Sequence, residues 1–313
     1  MEKKYSVVGI GAANVDTNWQ SKEAIRYRDS NPGYSRVSVG GVTRNILENL
    51  ARLGESTSLV TTIGDDPNGK MILQECRDAG IDISHVILRE GKSSSAYTCI
   101  LDETGDMMLA LSDMEILREM RPEDILDCIP LFCSADAVAC DGCLPREVLE
   151  TLLSETKGRT PVFVDPVSIA YARNIKPLIG RFYGIKPNIY ELATLTETEI
   201  RNQEDIERAT DILLNRGTGC VAVSLGEKGC YYADNRGNRF YDALPPIKEM
   251  KNASGAGDSF TAGLIYGYLK HMPAEEQIRF AMACGSLTIQ SENTVHPGIS
   301  AALVEEYLGQ SGE

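Results

Sequence analysis

The sequence predicts an α/β fold, in which a doubly wound, mostly parallel sheet is flanked by helices and carries a small β lid. Short β-branched runs alternate with helical patterns over most of the 313 residues, which is typical of a parallel sheet covered by helices on both faces. Before the middle of the chain a hairpin pattern interrupts this alternation and predicts a second, smaller sheet. The runs that predict buried strands are Ser6–Gly11, Leu59–Ile63, Ala137–Cys140, Val162–Asp165, Tyr183–Lys186 and Cys220–Ser224.

The small sheet is predicted from two segments. Residues 17–39 are polar with isolated aromatic side chains and contain the turn signal Ser30-Asn31-Pro32-Gly33. Further along, Ser94–Leu101 and Met107–Ser112 flank a glycine turn, as a hairpin requires. We therefore expect one domain over residues 1–313, with a lid formed by about 15–40 and 93–113.

Helical periodicity and glycine stops predict the covering helices. Two helices are predicted to close the fold, after a short antiparallel pair formed by Gly229–Ala233 and Arg239–Ala243. The predicted helices are Ile46–Leu53, Gly69–Ala79, Glu147–Thr156, Ala170–Ile179, Ala256–Lys270 and Ala274–Ser291.

The composition excludes several classes of protein. A formal net charge of −14 makes the surface repel nucleic acid and anionic lipid. No apolar run reaches the roughly 18 residues of a membrane span, so we expect neither a nucleic-acid nor a membrane partner. Nine cysteines, an odd number without the spacing of a disulfide scaffold, predict a reducing, cytoplasmic location. Cys140 and Cys143 have the spacing of a metal or redox site, but no second pair or nearby histidine completes one.

The strongest chemical signal is Gly255-Ala256-Gly257-Asp258, at the start of a predicted helix. Without Cβ atoms at the two glycines, the backbone can present several N–H groups to one anion, and the helix dipole adds to their attraction. Asp258 falls in the first turn, where the dipole favours a carboxylate. The motif therefore indicates a phosphate site with Asp258 as the base that takes a proton from an attacking hydroxyl. Taken alone, it fits an ordinary loop with an acidic first turn equally well.

A second glycine-led helix follows the first predicted strand. Gly40 and Gly41 precede the helix that contains Asn45, and Asn14 and Asp16 lie just past the end of the first strand. The ends of parallel strands open toward ligand crevices. A dinucleotide fingerprint is excluded here, because Asn14 stands where its third glycine belongs and no helical pattern follows.

Together these motifs resemble the ribokinase-like (PfkB) family of carbohydrate and nucleoside kinases over essentially the whole chain. Members carry a glycine-glycine-x-x-x-asparagine segment in the first quarter, matched by Gly40–Asn45. They carry Gly-Ala-Gly-Asp near the end, matched by Gly255–Asp258. The resemblance implies an ATP-dependent kinase with a lid that closes over its acceptor.

The resemblance also implies roles for individual residues. Asp258 is expected to be the base toward the 5′-hydroxyl of the acceptor, and the amides of Gly255, Ala256 and Gly257 are expected to form an anion hole. Asp16 and Asn45 are expected to hold sugar hydroxyls. The full set of expected acceptor-binding residues is Asn14, Asp16, Asn31, Gly40, Gly41, Thr43 and Asn45.

For the phosphoryl donor, the resemblance implies ATP with Mg²⁺. Asn188 and Glu191 match the family's Asn-x-x-Glu, whose spacing places both side chains on one helix face, where they would order a hydrated Mg²⁺. The alternative is a capped helix start. Segment 283–296 is expected to line the adenine pocket, although a core helix explains its apolar residues equally well. The expected ATP-binding residues are Asn188, Ser224, Gly226, Gly229, Gly257 and Asn293.

Within the family, the turn at 30–33 and the segments 40–54 and 165–168 look most like the pseudouridine kinases. The expected reaction is transfer of the ATP γ-phosphoryl group to the 5′-hydroxyl of pseudouridine. Asn31 would offer a donor and an acceptor to the uracil edge, or serve only as a turn residue. Two alternatives stay open: a kinase for free ribose or fructose, and a catalytically silent nucleoside-binding regulator.

Three positions depart from the family's pattern. Asn252 stands where many members have an aspartate tied to a monovalent-cation loop, so the resemblance supports a potassium requirement only weakly. Tyr171 and Cys143 stand where pseudouridine kinases are expected to have lysine and asparagine. Because a lid sheet with unpaired edges is a natural contact between two copies, we also expect a homodimer.

Overall fold

The computed structural model describes residues 3–247 and 249–310. The strands in these ranges are β1 Ser6–Ile10, β2 Asn14–Ser21, β3 Gly33–Gly40, β4 Ser56–Val60, β5 Thr62–Gly64, β6 Ile81–Asp82, β7 Ile87–Arg89, β8 Ala96–Leu101, β9 Met107–Asp113, β10 Ala137–Asp141, β11 Val162–Asp165, β12 Gly184–Ile185, β13 Cys220–Ser224, β14 Cys230–Asp234 and β15 Arg239–Asp242. The helices are α1 Val42–Arg52, α2 Pro67–Asp78, α3 Glu115–Arg118, α4 Ile129–Ser134, α5 Arg146–Glu155, α6 Ile169–Ile175, α7 Ile189–Thr196, α8 Gln203–Asn215, α9 Ala256–Leu269, α10 Ala274–Ile289 and α11 Ala301–Gln310.

The large sheet has the strand order β15-β14-β13-β12-β11-β10-β1-β4-β6. Strands β1, β4, β6 and β10 to β13 run parallel, and β14 and β15 are antiparallel additions at one edge. The chain builds outward from β1 through β4 to β6 and then returns to β10 on the other side of β1. The predicted doubly wound, mostly parallel sheet is confirmed, and its switch point lies between β1 and β10, where such sheets bind ligands.

Each central strand is buried on both faces. Along β10, Ala137 and Ala139 pack into one hydrophobic core with α1, α9 and α10, whereas Val138 and Cys140 pack into a second core with α5, α7 and α8. This follows from the two-residue side-chain period of a strand. It also explains why the predicted strands read as continuous apolar runs.

The small sheet has the order β3-β2-β8-β9. Strand β2 pairs antiparallel with β3 and parallel with β8, and β8 and β9 form the predicted hairpin. Both predicted segments thus contribute to one separate sheet. Strand β2 starts only four residues after β1 ends, so the small sheet stands at the carboxyl edge of the large one.

Several element predictions were wrong in detail. Three helices close the described chain instead of two, because α11 follows α10. The predicted run Leu59–Ile63 is divided between β4 and β5, which belong to different sheets. The helix predicted to reach Ile179 ends at Ile175 and continues as a 3₁₀ helix, Lys176–Arg181, because Pro177 cannot supply a helical N–H. In the described residues, every helix is too short or too polar to cross a bilayer.

Candidate active site

The amino end of α9 forms a cradle of backbone amides. Gly255, immediately before the helix, adopts a left-handed conformation with φ of 80°, and a Cβ there would lie 1.9 Å from the carbonyl oxygen of Thr294. Only glycine fits this turn. The first amides of a helix have no acceptor inside the helix, so those of Ala256 and Gly257 stay available to a bound anion.

Asp258 lies in the first turn of α9 and contacts α1 across the site. Asn45 Nδ2 donates to Asp258 Oδ2 at 2.8 Å, so the structure brings the two family motifs together. Burial raises the pKa of Asp258 to about 7, and the nearby carboxylate of Asp165 acts in the same direction. Asn45 and Lys186 oppose that shift. A carboxyl group with a pKa near neutrality suits a base that must both take and release a proton.

A buried ion pair lies beside this carboxylate. Lys186 Nζ lies 3.4 Å from Asp165 Oδ2, and both side chains are buried. Burial alone would lower the pKa of Lys186, but the charges of Asp165, Glu191 and Asp258 raise it overall, so the lysine stays protonated. A Cβ built on Gly257 would lie 3.3 Å from Lys186 Nζ. Lys186, which sequence reasoning missed, therefore adds a positive charge to the amide cradle.

The acceptor side is built by the first strand of the small sheet and by the start of α1. Asn14 Nδ2 donates to Asp16 Oδ1 at 2.5 Å. Burial raises the pKa of Asp16 to about 6, which Asn14 and the charge of Arg44 partly offset. A Cβ on Gly40 would lie 2.2 Å from Asp16 Oδ2, and Gly41 has φ of 104° with Ala12 against it. Gly41 is thus required by the backbone that lies against it, and a side chain at position 40 would displace the Asp16 carboxylate.

Asp141, at the end of β10, connects the ends of β1 and β10 to the start of α1. The sequence did not predict this role of Asp141. Its Oδ2 accepts from Ala12 N at 2.7 Å and from Thr43 Oγ1 at 2.7 Å, and its Oδ1 accepts from Cys143 N at 3.0 Å. Burial raises the pKa of Asp141. Thr43 itself is fully buried, so its hydroxyl holds the start of α1 in place, whereas the sequence assigned it to the acceptor.

On the donor side, Asn188 and Glu191 form a capping box at the start of α7. Asn188 Oδ1 accepts from Tyr190 N and Glu191 N at 2.9 Å each, and Glu191 Oε2 accepts from Asn188 N at 2.8 Å. Burial raises the pKa of Glu191. The pair therefore caps α7, and its expected part in ordering Mg²⁺ stays a prediction.

These oxygens fit a hydrated Mg²⁺ better than a bare one. No group of three or more carboxylate, histidine or cysteine side chains within residues 3–247 and 249–310 could hold a metal ion. Mg²⁺ commonly keeps several waters and binds through one or two carboxylates together with substrate phosphates. The Asn188–Glu191 pair offers that kind of site and no closed protein cage.

Three of the residues expected to bind ATP, Ser224, Gly226 and Gly229, lie next to this helix cap. Ser224, the last residue of β13, forms a β-bridge with Asn188, and its amide donates to Pro187 O at 2.9 Å. Gly226 and Gly229 both have positive φ, and a Cβ on Gly229 would lie 2.1 Å from Asp242 O. Ser224, Gly226 and Gly229 thus form one turn beside the Asn188–Glu191 cap.

Asn293 joins the small sheet to segment 283–296. Arg36, on β3, donates to Asn293 Oδ1, and its Nη1 donates to Glu292 O at 3.0 Å. Asn252 Nδ2 donates to the same Glu292 carbonyl at 3.2 Å. The sheet predicted to be a lid is therefore in contact with the segment expected to line the adenine pocket.

Asn31 is occupied within its own loop. Its Oδ1 accepts from Arg26 N at 2.8 Å, and its Nδ2 donates to the carbonyls of Arg26 and Asp29 at 3.0 and 3.1 Å. This is the turn role that the sequence left open. The side-chain amide of Asn31 has little hydrogen-bonding capacity left for the uracil ring of a bound nucleoside.

The two departures from the pseudouridine kinase pattern are neighbours. The Tyr171 hydroxyl contacts both Arg118 and the Cys143 thiol. Burial raises the pKa values of Cys143 and Tyr171. Because Cys143 N is bound by Asp141, this pair lies at the carboxyl edge of β10, close to the acceptor side.

A family model for "pfkB family carbohydrate kinase" matches residues 4–301. The chain belongs to the PfkB family of carbohydrate kinases. A pseudouridine kinase of Escherichia coli K12 is 33% identical over 305 residues, which are 97% of this chain and 96% of that protein.

Two solved structures place this PfkB kinase among its relatives. A crystal structure of a candidate sugar kinase from Clostridium perfringens is 35% identical and has a TM-score of 0.85, with 100% of this chain and 96% of that one covered. The ribokinase of Arabidopsis thaliana in complex with ribose and ATP has a TM-score of 0.88 at 22% identity, over 98% and 99% of the two chains. The PfkB kinase therefore has the ribokinase-like fold, and it is an ATP-dependent phosphotransferase by family.

Proposed function

We propose that this PfkB kinase phosphorylates the 5′-hydroxyl of a nucleoside, most specifically pseudouridine, with Asp258 as the base. The single observation that carries the proposal is the Asn45–Asp258 contact at the mouth of the amide cradle. It joins a carboxylate whose pKa is about 7 to the acceptor side of the cleft. A hydroxyl bound there would lie beside the base and in front of an anion site.

The chain's residues divide the reaction between them. Asp258 takes the proton of the 5′-hydroxyl while that oxygen forms its bond to the γ-phosphorus of ATP, the bond from γ-phosphorus to the bridging oxygen breaks, and ADP leaves. The amides of Gly255, Ala256 and Gly257, with the Lys186 ammonium, would stabilise the charge on the migrating group.

Asp16 and Asn45, with the Gly40–Gly41 backbone, would hold the ribose hydroxyls. The carboxylate of Asp16 is half-buried and already fixed by Asn14, so it needs little reorganisation to accept from a sugar. Closure of the lid, 15–40 and 93–113, would exclude water and so prevent hydrolysis of ATP.

On the donor side we propose that Ser224, Gly226, Gly229 and Asn293 contact ATP and that Asn188 and Glu191 order Mg²⁺ through water. A bound Mg²⁺ would neutralise phosphate charge. We propose no potassium requirement, because the Asn252 side chain already donates to Glu292 O and accepts from Ser254 N.

The pseudouridine assignment is supported by the likeness to the Escherichia coli pseudouridine kinase over almost the full length of both chains. A kinase for a free sugar is the alternative, and the fold does not distinguish the two. The silent-regulator alternative is disfavoured by the complete set of Asp258, Asn45 and Lys186.

The experiment is a panel of acceptors with ATP and Mg²⁺. ADP release is measured with pseudouridine, uridine, cytidine, ribose and fructose. The position of the phosphate on each product is determined by ³¹P and ¹H NMR. We expect pseudouridine to give the highest kcat/KM and a 5′-monoester. ADP release with ribose or fructose and none with any nucleoside would overturn the nucleoside assignment.

We further propose a homodimer in which the outer faces of two small sheets cover each other. Trp19, Ile100 and Leu109 are direct neighbours across β2, β8 and β9, so they share one face, and all three are exposed. Leu111 and Val37 continue this apolar face. Contiguous exposed apolar side chains of this kind mark an interaction surface.

We also propose a reducing, cytoplasmic location. The nine cysteines are free thiols in the structure, and eight of them are buried. Burial raises the pKa of Cys76, Cys128 and Cys140, which keeps such thiols protonated and unreactive. Labelling of the native protein with a thiol reagent should therefore modify Cys133 first.

A further inference from the structure

The buried face of α1 carries a ladder of charged side chains. Arg44 and Glu48 are only 3% and 6% exposed, and Arg44 Nη1 lies 2.6 Å from Glu48 Oε2. The other oxygen of Glu48 accepts from Arg52 Nε and Nη2 at 2.8 and 2.7 Å. Arg52 Nη1 in turn donates to Pro297 O at 2.7 Å. The ladder reaches from the start of α1 to the loop after α10.

Arg44 is also bound to the residue that contacts the proposed base. Its Nη1 donates to Asn45 Oδ1 at 3.2 Å and to Val39 O at 3.4 Å. A side-chain amide has an acceptor on one side and donors on the other. With Oδ1 held by Arg44, the Asn45 amide presents its NH₂ to Asp258, and this is the 2.8 Å contact described above.

We propose that Arg44 is a positioning residue, which fixes the orientation of the Asn45 amide so that Asp258 always meets a donor. The inference rests on the proposed function of Asp258. It adds a residue whose side chain acts on the base only through Asn45.

The charges around Asp258 explain why the orientation matters. The groups that act on this carboxylate are Asp165 and Asp141, which disfavour its charged form, and Lys186 and Asn45, which favour it. A flipped amide would place Oδ1 against the carboxylate, so that two acceptors would face each other. One of the two stabilising partners would become a repulsive one.

The burial of Arg44 supports a role beyond stability. A buried ion pair stabilises a fold weakly at best, because both charges lose their hydration. The Nε atom of Arg44 is buried without a partner, which adds to that cost. Nη1 of Arg44 contacts both Glu48 and Asn45. Its hydrogens are fixed in the guanidinium plane, whereas the ammonium of a lysine rotates freely and directs its hydrogens less strictly.

The test compares variants that keep the charges balanced. Arg44→Met combined with Glu48→Gln removes the donor without leaving a buried carboxylate unpaired, because methionine has no N–H group, and Arg44→Lys keeps the charge with altered geometry. Arg52→Gln is the matched control, because Arg52 binds the same Glu48 and does not reach Asn45. For each, kcat/KM is measured from pH 5.5 to 9 with the best acceptor of the panel, and folding is checked by thermal unfolding.

We expect the acid limb of kcat/KM to move upward by about half a pH unit or more in the Arg44→Met/Glu48→Gln protein. Arg44→Lys should fall between that protein and the wild type, and the limb of Arg52→Gln should stay at the wild-type pH. A folded Arg44→Met/Glu48→Gln protein whose acid limb coincides with that of the wild type overturns the proposal.

A second measurement does not depend on activity. The side-chain NH₂ signals of Asn45, observed by ¹⁵N NMR, should shift as Asp258 titrates in the wild type, and this shift should be lost or reduced in Arg44→Lys. If the Asn45 signals of the wild type do not shift as Asp258 titrates, or if their shift is the same in Arg44→Lys, the inference is contradicted. A wild-type protein without kinase activity would instead refute the proposed function, and the NMR result would still decide the orientation.

Discussion

Asn45 and Asp258 are 213 positions apart in the chain, yet Asn45 Nδ2 lies 2.8 Å from Asp258 Oδ2. The contact joins the start of α1 to the start of α9, which pack against each other on one face of the large sheet. Both helices begin at a glycine with positive φ. Two tight turns thus bring an acceptor-binding amide and a base to the same point.

The first prediction concerns pH. Since the pKa of Asp258 is raised to about 7 and a base must be deprotonated, kcat/KM should fall as the pH falls through about 7. Below that value the loss should be about tenfold per pH unit. Initial rates at low acceptor concentration from pH 5.5 to 9 measure it. A profile that stays flat down to pH 5.5 would contradict the assignment of Asp258.

The second prediction separates acceptor binding from chemistry. Asp16→Asn removes the charge that is proposed to accept from the sugar, and such hydrogen bonds contribute about 1.5–3 kcal/mol. We expect the KM of the acceptor to rise by about 10- to 100-fold, with the KM of ATP nearly unchanged. An equal change in both KM values would argue against a specific contact to the acceptor.

The third prediction tests the turn before α9. Gly255→Ala would force a Cβ to within 1.9 Å of Thr294 O at a φ of 80°, so the amide cradle must distort. We expect a loss of stability of about 1–3 kcal/mol and a fall in kcat of at least about tenfold. Gly237→Ala is the control, since Gly237 has φ of 98° and open space around it. If the two variants lose stability and activity equally, the turn at Gly255 has no particular role in forming the amide cradle.

The fourth prediction concerns assembly. Leu109→Lys combined with Leu111→Lys places two charges on the apolar face of the small sheet and should convert a dimer to a monomer in sedimentation experiments. Leu126→Lys is the control, because Leu126 is comparably exposed but lies in the 3₁₀ helix 122–128. A wild type that is already monomeric, or a double variant that stays dimeric, would exclude this interface.

The sequence predicts the fold well where the signal is local. The strand of Val162–Asp165 and the hairpin around Asp102–Gly105 are recognisable from apolar runs and turn residues, and both exist as predicted. Helix α8 was missed although Asn202 and Asp205 form a capping box at its amino end. The signal was available in the asparagine and aspartate three residues apart, followed by Ile206 and Ala209 on one face.

The sequence predicts the site less completely, because contacts between distant residues leave no local pattern. Gly255–Asp258 could be recognised as a motif. Asp141, Asp165 and Lys186 are single charged residues at the ends of apolar runs. Only the pairing of Asp141 with Asp165 across β10 and β11, and the ion pair of Lys186 with Asp165, show that they lie together. A general signal does exist, since a charged residue at the carboxyl end of a buried parallel strand lies at the ligand edge.

The most direct test of the whole account is the turnover of Asp258→Asn with pseudouridine, ATP and Mg²⁺. At pH 8 the folded variant should unfold at a temperature no lower than that of the wild type. A carboxyl group with a raised pKa contributes stability at low pH, and this contribution is lost as the pH rises through about 7. Asparagine is uncharged at every pH and has no such loss. We predict that it binds the nucleoside nearly as the wild type does while kcat falls by about 10²- to 10⁴-fold. A kcat within twofold of the wild type would contradict the claim that Asp258 removes the proton.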